Sequence, residues 1–177
     1  MSTLFKDSDV FVKQRPTDIT SQQKKEFYHK MAQEIIDCKW SNSHISVIAE
    51  DLRLLSLRDN GYEMAKELDD YRASGNYSID TSFCEWLDGL RSEYDDILEH
   101  NIRQWVKAHN IKPKWLVGFC LKVTSSKFLS FKQGEYIYIN YVYKDTAKYT
   151  VNKSGLKGGY LIDFEKVEDN CILMTNG

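Results

Sequence analysis

The apolar positions along the chain change period once. Between Thr20 and about Trp40 the residues Phe27, Met31, Ile35 and Cys38 recur at spacings of four, four and three. That rhythm predicts a one-faced helix, opened by T-S-Q-Q as a capping box with Gln23 reaching back. After the polar Ser41 to Ser43, a second helix carries Ile45, Ile48, Leu52 and Leu55 until Asp59-Asn60-Gly61 breaks the pattern. A third has Met64, Leu68 and Tyr71 on one side and closes at Ala73-Ser74-Gly75. The fourth starts at Asp80 or Ser82, where S-F-C-E reads as a second capping box, and runs to about His109. Its apolar stripe, from Phe83 through Leu87, Leu90, Tyr94, Leu98 and Ile102 to Trp105, implies roughly 40 Å of helix at 1.5 Å per residue. A stripe of that length also suits a homodimer through the long helix.

Asn110-Ile-Lys-Pro113 stops this pattern, because proline has no amide hydrogen to donate and turns the preceding residue away from helical angles. Thereafter the period is two. Leu116 to Val123, Tyr136 to Tyr143, Ala147 to Asn152, Gly159 to Ile162 and Cys171 to Met174 read as strands. Five short strands in about 60 residues remove their edges most economically by closing into a barrel. The expected fold is therefore α+β: a segment over 1–19, an acidic helical region over 20–111 with about four helices, and a five-stranded barrel over 115–177. Within the first segment, Val10, Phe11 and Val12 suit a short added strand.

Two stretches of the barrel region are familiar. Leu129-Ser-Phe-Lys-Gln-Gly-Glu-Tyr-Ile-Tyr-Ile139 resembles the L-S-F-x-x-G-[DE]-x-I-x-[IV] stretch of Src-homology-3 (SH3) domains, and Gly159-Tyr160-Leu161 with Val167-Glu168 resembles their closing segment. The resemblance implies an SH3-like barrel in which Phe131 plugs one end, Gly134 takes the diverging turn, Ile137 and Ile139 point inward and Tyr136 and Tyr138 outward. It covers under a third of the chain and departs from the family at the peptide groove. The two groove tyrosines fall on Phe119 and Leu121, the tryptophan pair on Ala147 and Lys148, and the proline on Ile162. The closing tyrosine falls on Glu165 or Phe164, and the acidic loop reads Lys122-Val-Thr-Ser-Ser-Lys127. A polyproline ligand finds neither its aromatic ridges nor its carboxylates there. Lys157 to Glu168 resembles more loosely the degenerate barrels of small bacterial and phage proteins. That likeness implies a cytoplasmic, often phage-encoded accessory protein that binds a host or viral macromolecule, with no catalytic residues carried over.

Composition adds compartment and charge. No stretch of 18 apolar residues predicts a membrane span, and the N-terminus lacks the apolar segment of a signal peptide. Cys38, Cys84, Cys120 and Cys171 are widely spaced with no Cys-x-x-Cys pair, which suits four reduced thiols in the cytoplasm and no metal site. Net charge is −2, but residues 1–110 carry −6 and residues 111–177 carry +4. Between Glu63 and Glu99 eleven acids face only Lys66, Arg72 and Arg91.

Candidate reaction chemistry is thin. Glu26 and His29 have the i, i+3 spacing of a di-iron ligand pair, but no second copy exists. Asp96 and His100 at i, i+4 lack a nucleophile. Ser154 to Gly159 lacks the order of a phosphate loop and reads as a turn. The expectation is no enzyme, no cofactor and no metal. Two binding surfaces remain. In the favoured one, Asp69, Asp70, Asp88, Asp95, Asp96 and Glu99 offer an acidic helix face to a protein partner, as an interaction module or inhibitor of a host factor. In the alternative, Lys122, Lys127, Lys132 and Lys148, joined by Lys153 and Lys157, bind nucleic acid, with Tyr138, Tyr143 and Tyr149 as stacking faces.

Overall fold

The computed structural model describes residues 14–58, 60–70, 75–125, 128, 131–153 and 159–174. Among these are five helices and one five-stranded antiparallel sheet, with four helices preceding the sheet. The chain divides into two compact units, residues 16–101 on one side and residues 1–15 with 102–177 on the other. The division falls inside the longest helix.

The first unit is built from α1 (Ser21–Asp37), α2 (Ile45–Leu54), α3 (Gly61–Asp70) and most of α4 (Thr81–Ala108). Thr20 caps α1 as its sequence predicts, accepting from the Gln23 amide while the Gln23 side chain accepts from the Thr20 amide. At α4 the cap is Asp80, whose Oδ1 accepts the Phe83 amide at 2.8 Å, so the Ser82 box is not the one used. The predicted stripes then meet. Phe27, Met31 and Ile35 of α1, Ile48 and Leu52 of α2, Met64 and Leu68 of α3, and Phe83, Leu87 and Leu90 of α4 form one buried cluster. That part of the long helix therefore spends its apolar face within the chain.

The second unit carries β1 (Cys120–Val123), β2 (Tyr136–Tyr143), β3 (Lys148–Lys153), β4 (Tyr160–Asp163), a short helix α5 (Phe164–Asn170) and β5 (Cys171–Leu173). Strand order is β4-β3-β2-β1-β5, antiparallel throughout. The inner face holds Leu121, Val123, Ile137, Ile139, Tyr149, Val151 and Ile162, with Phe128, Phe131, Phe164 and Val167 packed among the buried residues.

Two expectations change here. The sheet is open: among the described residues β4 pairs only with β3 and β5 only with β1. Between the two edge strands lie the seven residues of α5, which turn Phe164 and Val167 into the core. The edges are instead limited by length, at four and three residues. The first strand starts at Cys120 and not Leu116, because Gly118 (φ 87°) and the Phe119 amide bonding back to Leu116 make a turn that leaves Leu116 and Val117 exposed. Residues 154–158 of the expected turn lie outside the described residues, as do residues 1–13 with Val10 to Val12.

Two glycines of the helical unit test its packing in opposite directions. An added Cβ at Gly61 would sit 1.8 Å from the Cys84 carbonyl oxygen, whereas one at Gly89 in α4 meets nothing within 4 Å. Gly61→Ala is expected to destabilise by about 1–3 kcal/mol through overpacking. Gly89→Ala is expected to stabilise by about 0.5–1 kcal/mol, since glycine in a helix interior carries that entropy cost. The urea midpoint of the far-ultraviolet circular dichroism signal measures both.

Candidate functional site

Strand β2 reads Y-I-Y-I-N-Y-V-Y, and its register explains why. Ile137 pairs with Lys153, Tyr138 with Asn152 and Ile139 with Val151; the next pair is Tyr141 with Thr150, leaving Asn140 as an extra residue. Successive strand residues alternate between faces, so one extra residue inverts the alternation. Before the bulge, Ile137 and Ile139 face the core and Tyr136 and Tyr138 face out. Beyond it, Val142 pairs with the buried Tyr149 while Tyr141 and Tyr143 face out. Tyr136, Tyr141 and Tyr143 are 47%, 56% and 41% exposed, and Tyr138 is half-buried.

Neighbouring strands complete this outer face. Tyr136 lies beside Lys122 and then Ile172, Tyr141 beside Thr150 and then Leu161, and Tyr143 beside Lys148 and then Asp163. Leu161 and Ile172 are exposed, and the Tyr141 and Tyr143 rings lean together at 4.6 Å between centroids. Neither Lys122 nor Lys148 forms an ion pair among the described residues. The acid on these rows, Asp163, is held by Arg15 Nη2 at 2.9 Å and by Lys166 at 3.6 Å. Arg15 also donates to the Thr146 and Ala147 carbonyls at 3.0 Å each, with its side chain only 11% exposed. Sequence reasoning missed this residue.

Tyr149 is a correction. It is fully buried, so it offers no stacking face. Its hydroxyl accepts the Trp115 amide at 3.1 Å and donates to Glu168 Oε1 at 3.0 Å, and the same carboxylate oxygen accepts the Lys114 amide. Burial, reinforced by the Glu168 carboxylate, holds the phenol well above its ordinary range, so it stays a donor. Of the predicted lysines, Lys122 and Lys148 share the outer face. Lys132 is exposed in the turn before β2, Lys153 is drawn to Glu135 at 3.0 Å and over the Phe131 ring, and Lys127 and Lys157 lie outside the described residues.

The acidic residues are less gathered. Asp69 and Asp70 end α3, exposed. Asp88 accepts the Gly61 amide and so anchors the start of α3, and Asp95 accepts Arg91 Nε at 2.8 Å. Glu99 is half-buried. Asp96 is exposed on the rim of a groove of about 570 Å³ between α1 and α4, lined also by Glu26, Phe27, Lys30 and Glu93. Glu26 accepts from Gln22, and no group of three His, Cys, Asp or Glu among the described residues could hold a metal. No helix among the described residues is long and apolar enough to cross a membrane. The Cys171 thiol, buried, is pushed up to about 11 by that burial and is a poor nucleophile near neutrality.

No protein-family model, curated protein or solved structure matches the chain.

Tyr149→Phe should cost about 1–3 kcal/mol, because it strips a buried amide of its acceptor and a carboxylate of a donor. Tyr141→Phe, on the exposed face, should stay within about 0.5 kcal/mol of the parent. Thermal unfolding of the two variants side by side checks the assignment.

Proposed function

We propose that this is a non-enzymatic nucleic-acid-binding protein that works through the outer face of its sheet. The observation that carries the reading is the convergence on one face of Tyr136, Tyr138, Tyr141 and Tyr143 with Lys122 and Lys148, beside an acid already neutralised by Arg15. Charge supports it. The sheet unit, residues 1–15 and 102–177, contains 15 Lys or Arg against 8 Asp or Glu, a net of +7, while residues 16–101 contain 9 against 18, a net of −9. Flat aromatic rings with flanking cations suit bases and phosphates together. The sheet is SH3-like in character but left open between β4 and β5, a reading supported by the quoted segments, by buried Phe131 and by Gly134 at φ 89° ahead of β2. Four free cysteines suit work in a reducing cytoplasm.

A second reading keeps the helical unit as an acidic docking surface for a protein, favoured by its net of −9 and by exposed Asp69, Asp70 and Asp96. With Asp88 and Asp95 already used inside the unit, it has fewer carboxylates to offer than the sequence implies.

Fluorescence anisotropy with a labelled oligonucleotide at several salt concentrations separates the two. Binding that weakens linearly in log–log form is expected. A Lys122→Gln, Lys148→Gln double variant should reduce the slope by about 1.4, at roughly 0.7 per phosphate contact on a single strand. Absence of binding at low salt, together with a specific protein partner lost on mutating Asp69, Asp70 and Asp96, would put the second reading in its place.

A further inference from the structure

The four outward tyrosines of β2 bear on what kind of nucleic acid fits, an inference that rests on the nucleic-acid reading above. We infer that the outer face is a stacking platform for a single strand of about three or four nucleotides, running along β2 between Lys122 at one end and Lys148 at the other.

The spacing carries the argument. Successive outward residues on a strand are about 6.7 Å apart, twice the rise of a residue. Stacked nucleotides in a duplex strand rise only about 3.4 Å each. A chain that follows the tyrosines must therefore have its bases drawn apart from one another and restacked on phenol rings, which an extended single strand can do and a duplex cannot. Lys122 is the cross-strand neighbour of Tyr136 and Lys148 that of Tyr143. The two cations thus sit at opposite ends of a row of about 20 Å, seven strand steps less the bulge. That places an ammonium near the phosphates at either end.

Charge is complementary and the shape is selective. Along the rows described, Thr150, Asn152 and Cys120 are neutral and Asp163 is neutralised by Arg15 and Lys166, so no uncompensated carboxylate repels a phosphate there. A broad sheet face does not enter a major groove, which admits a helix or a two-stranded ribbon. Two lysines are also a small footprint for a duplex, whose affinity depends on many phosphate contacts. Among the described residues the strands carry no arginine to read guanine, and Arg15 at the edge is held by Asp163 and two carbonyls, so recognition is by stacking and tolerant of sequence.

The test uses the full chain with three labelled probes of about 12 nucleotides, within the site sizes of such platforms: oligo-dT, oligo-U and a mixed-sequence duplex. The single strands should bind at least about 10-fold more tightly than the duplex. Tyr141→Ala and Tyr143→Ala should each weaken single-strand binding between about 5- and 100-fold, with the salt slope unchanged. Tyr141→Leu and Tyr143→Leu, which keep apolar bulk, should weaken it too. Duplex binding equal to or tighter than single-strand binding, with the tyrosine variants at parental affinity and the lysine variants impaired, would overturn the single-strand platform and leave the nucleic-acid reading standing. No binding to any probe at low salt would overturn both.

Discussion

Strand β2 is hydrogen-bonded on both sides, to β1 and to β3, and one face of it must fill the core. Everything else in the sheet unit depends on how its eight residues meet that demand. By strict alternation Tyr141 and Tyr143 would enter the interior and Val142 would leave it. The extra residue at Asn140 shifts the phase, so Ile139 meets Val151 and Val142 meets Tyr149 across the inner face, while every β2 tyrosine is turned outward. A bulge of this kind disrupts the ladder locally and bends the strand. Here it divides one strand into two halves that present the same chemistry on the same side.

The resulting face is supported from behind and from its edge. Behind it, the buried Tyr149 hydroxyl and Glu168 tie the backbone at Lys114 and Trp115 to α5, with the Phe164 ring 4.2 Å from Tyr149. At its edge, Arg15 holds two carbonyls of the β2–β3 turn and the Asp163 carboxylate together. A guanidinium suits that position because its donors are fixed in a planar fork. The same contact removes the negative charge that would otherwise stand beside Lys148. Scaffold and electrostatics are thus set by one side chain.

Much of this was legible in the sequence and some was hidden for physical reasons. The helices of the first unit follow from apolar spacing, because each stripe is local and Thr20 with Gln23 satisfies its own helix start. The strands follow from alternation and Gly134. The α5 helix was missed because it is short and sits between two strands, with only Phe164 and Val167 to mark its buried side. Tyr149 looked like its neighbours because alternation alone does not say which face is solvent; its pairing with Val142 and Ile162 decides that. The acidic face thinned because Asp88 spends its charge on the Gly61 amide, far away in sequence. The bulge has a sequence signature: Y-I-Y-I and Y-V-Y keep one pattern only if the asparagine between them is supernumerary. Arg15 left no signal, since its partners lie more than 130 positions away.

The phase shift at Asn140 is tested most directly by nitration of the native protein with tetranitromethane, mapped by mass spectrometry residue by residue. Tyr136, Tyr141 and Tyr143 should react early and Tyr149 should stay unmodified until the protein unfolds. Early modification of Tyr149 with Tyr141 and Tyr143 protected would mean that the strand keeps a single phase and that the tyrosine face does not exist.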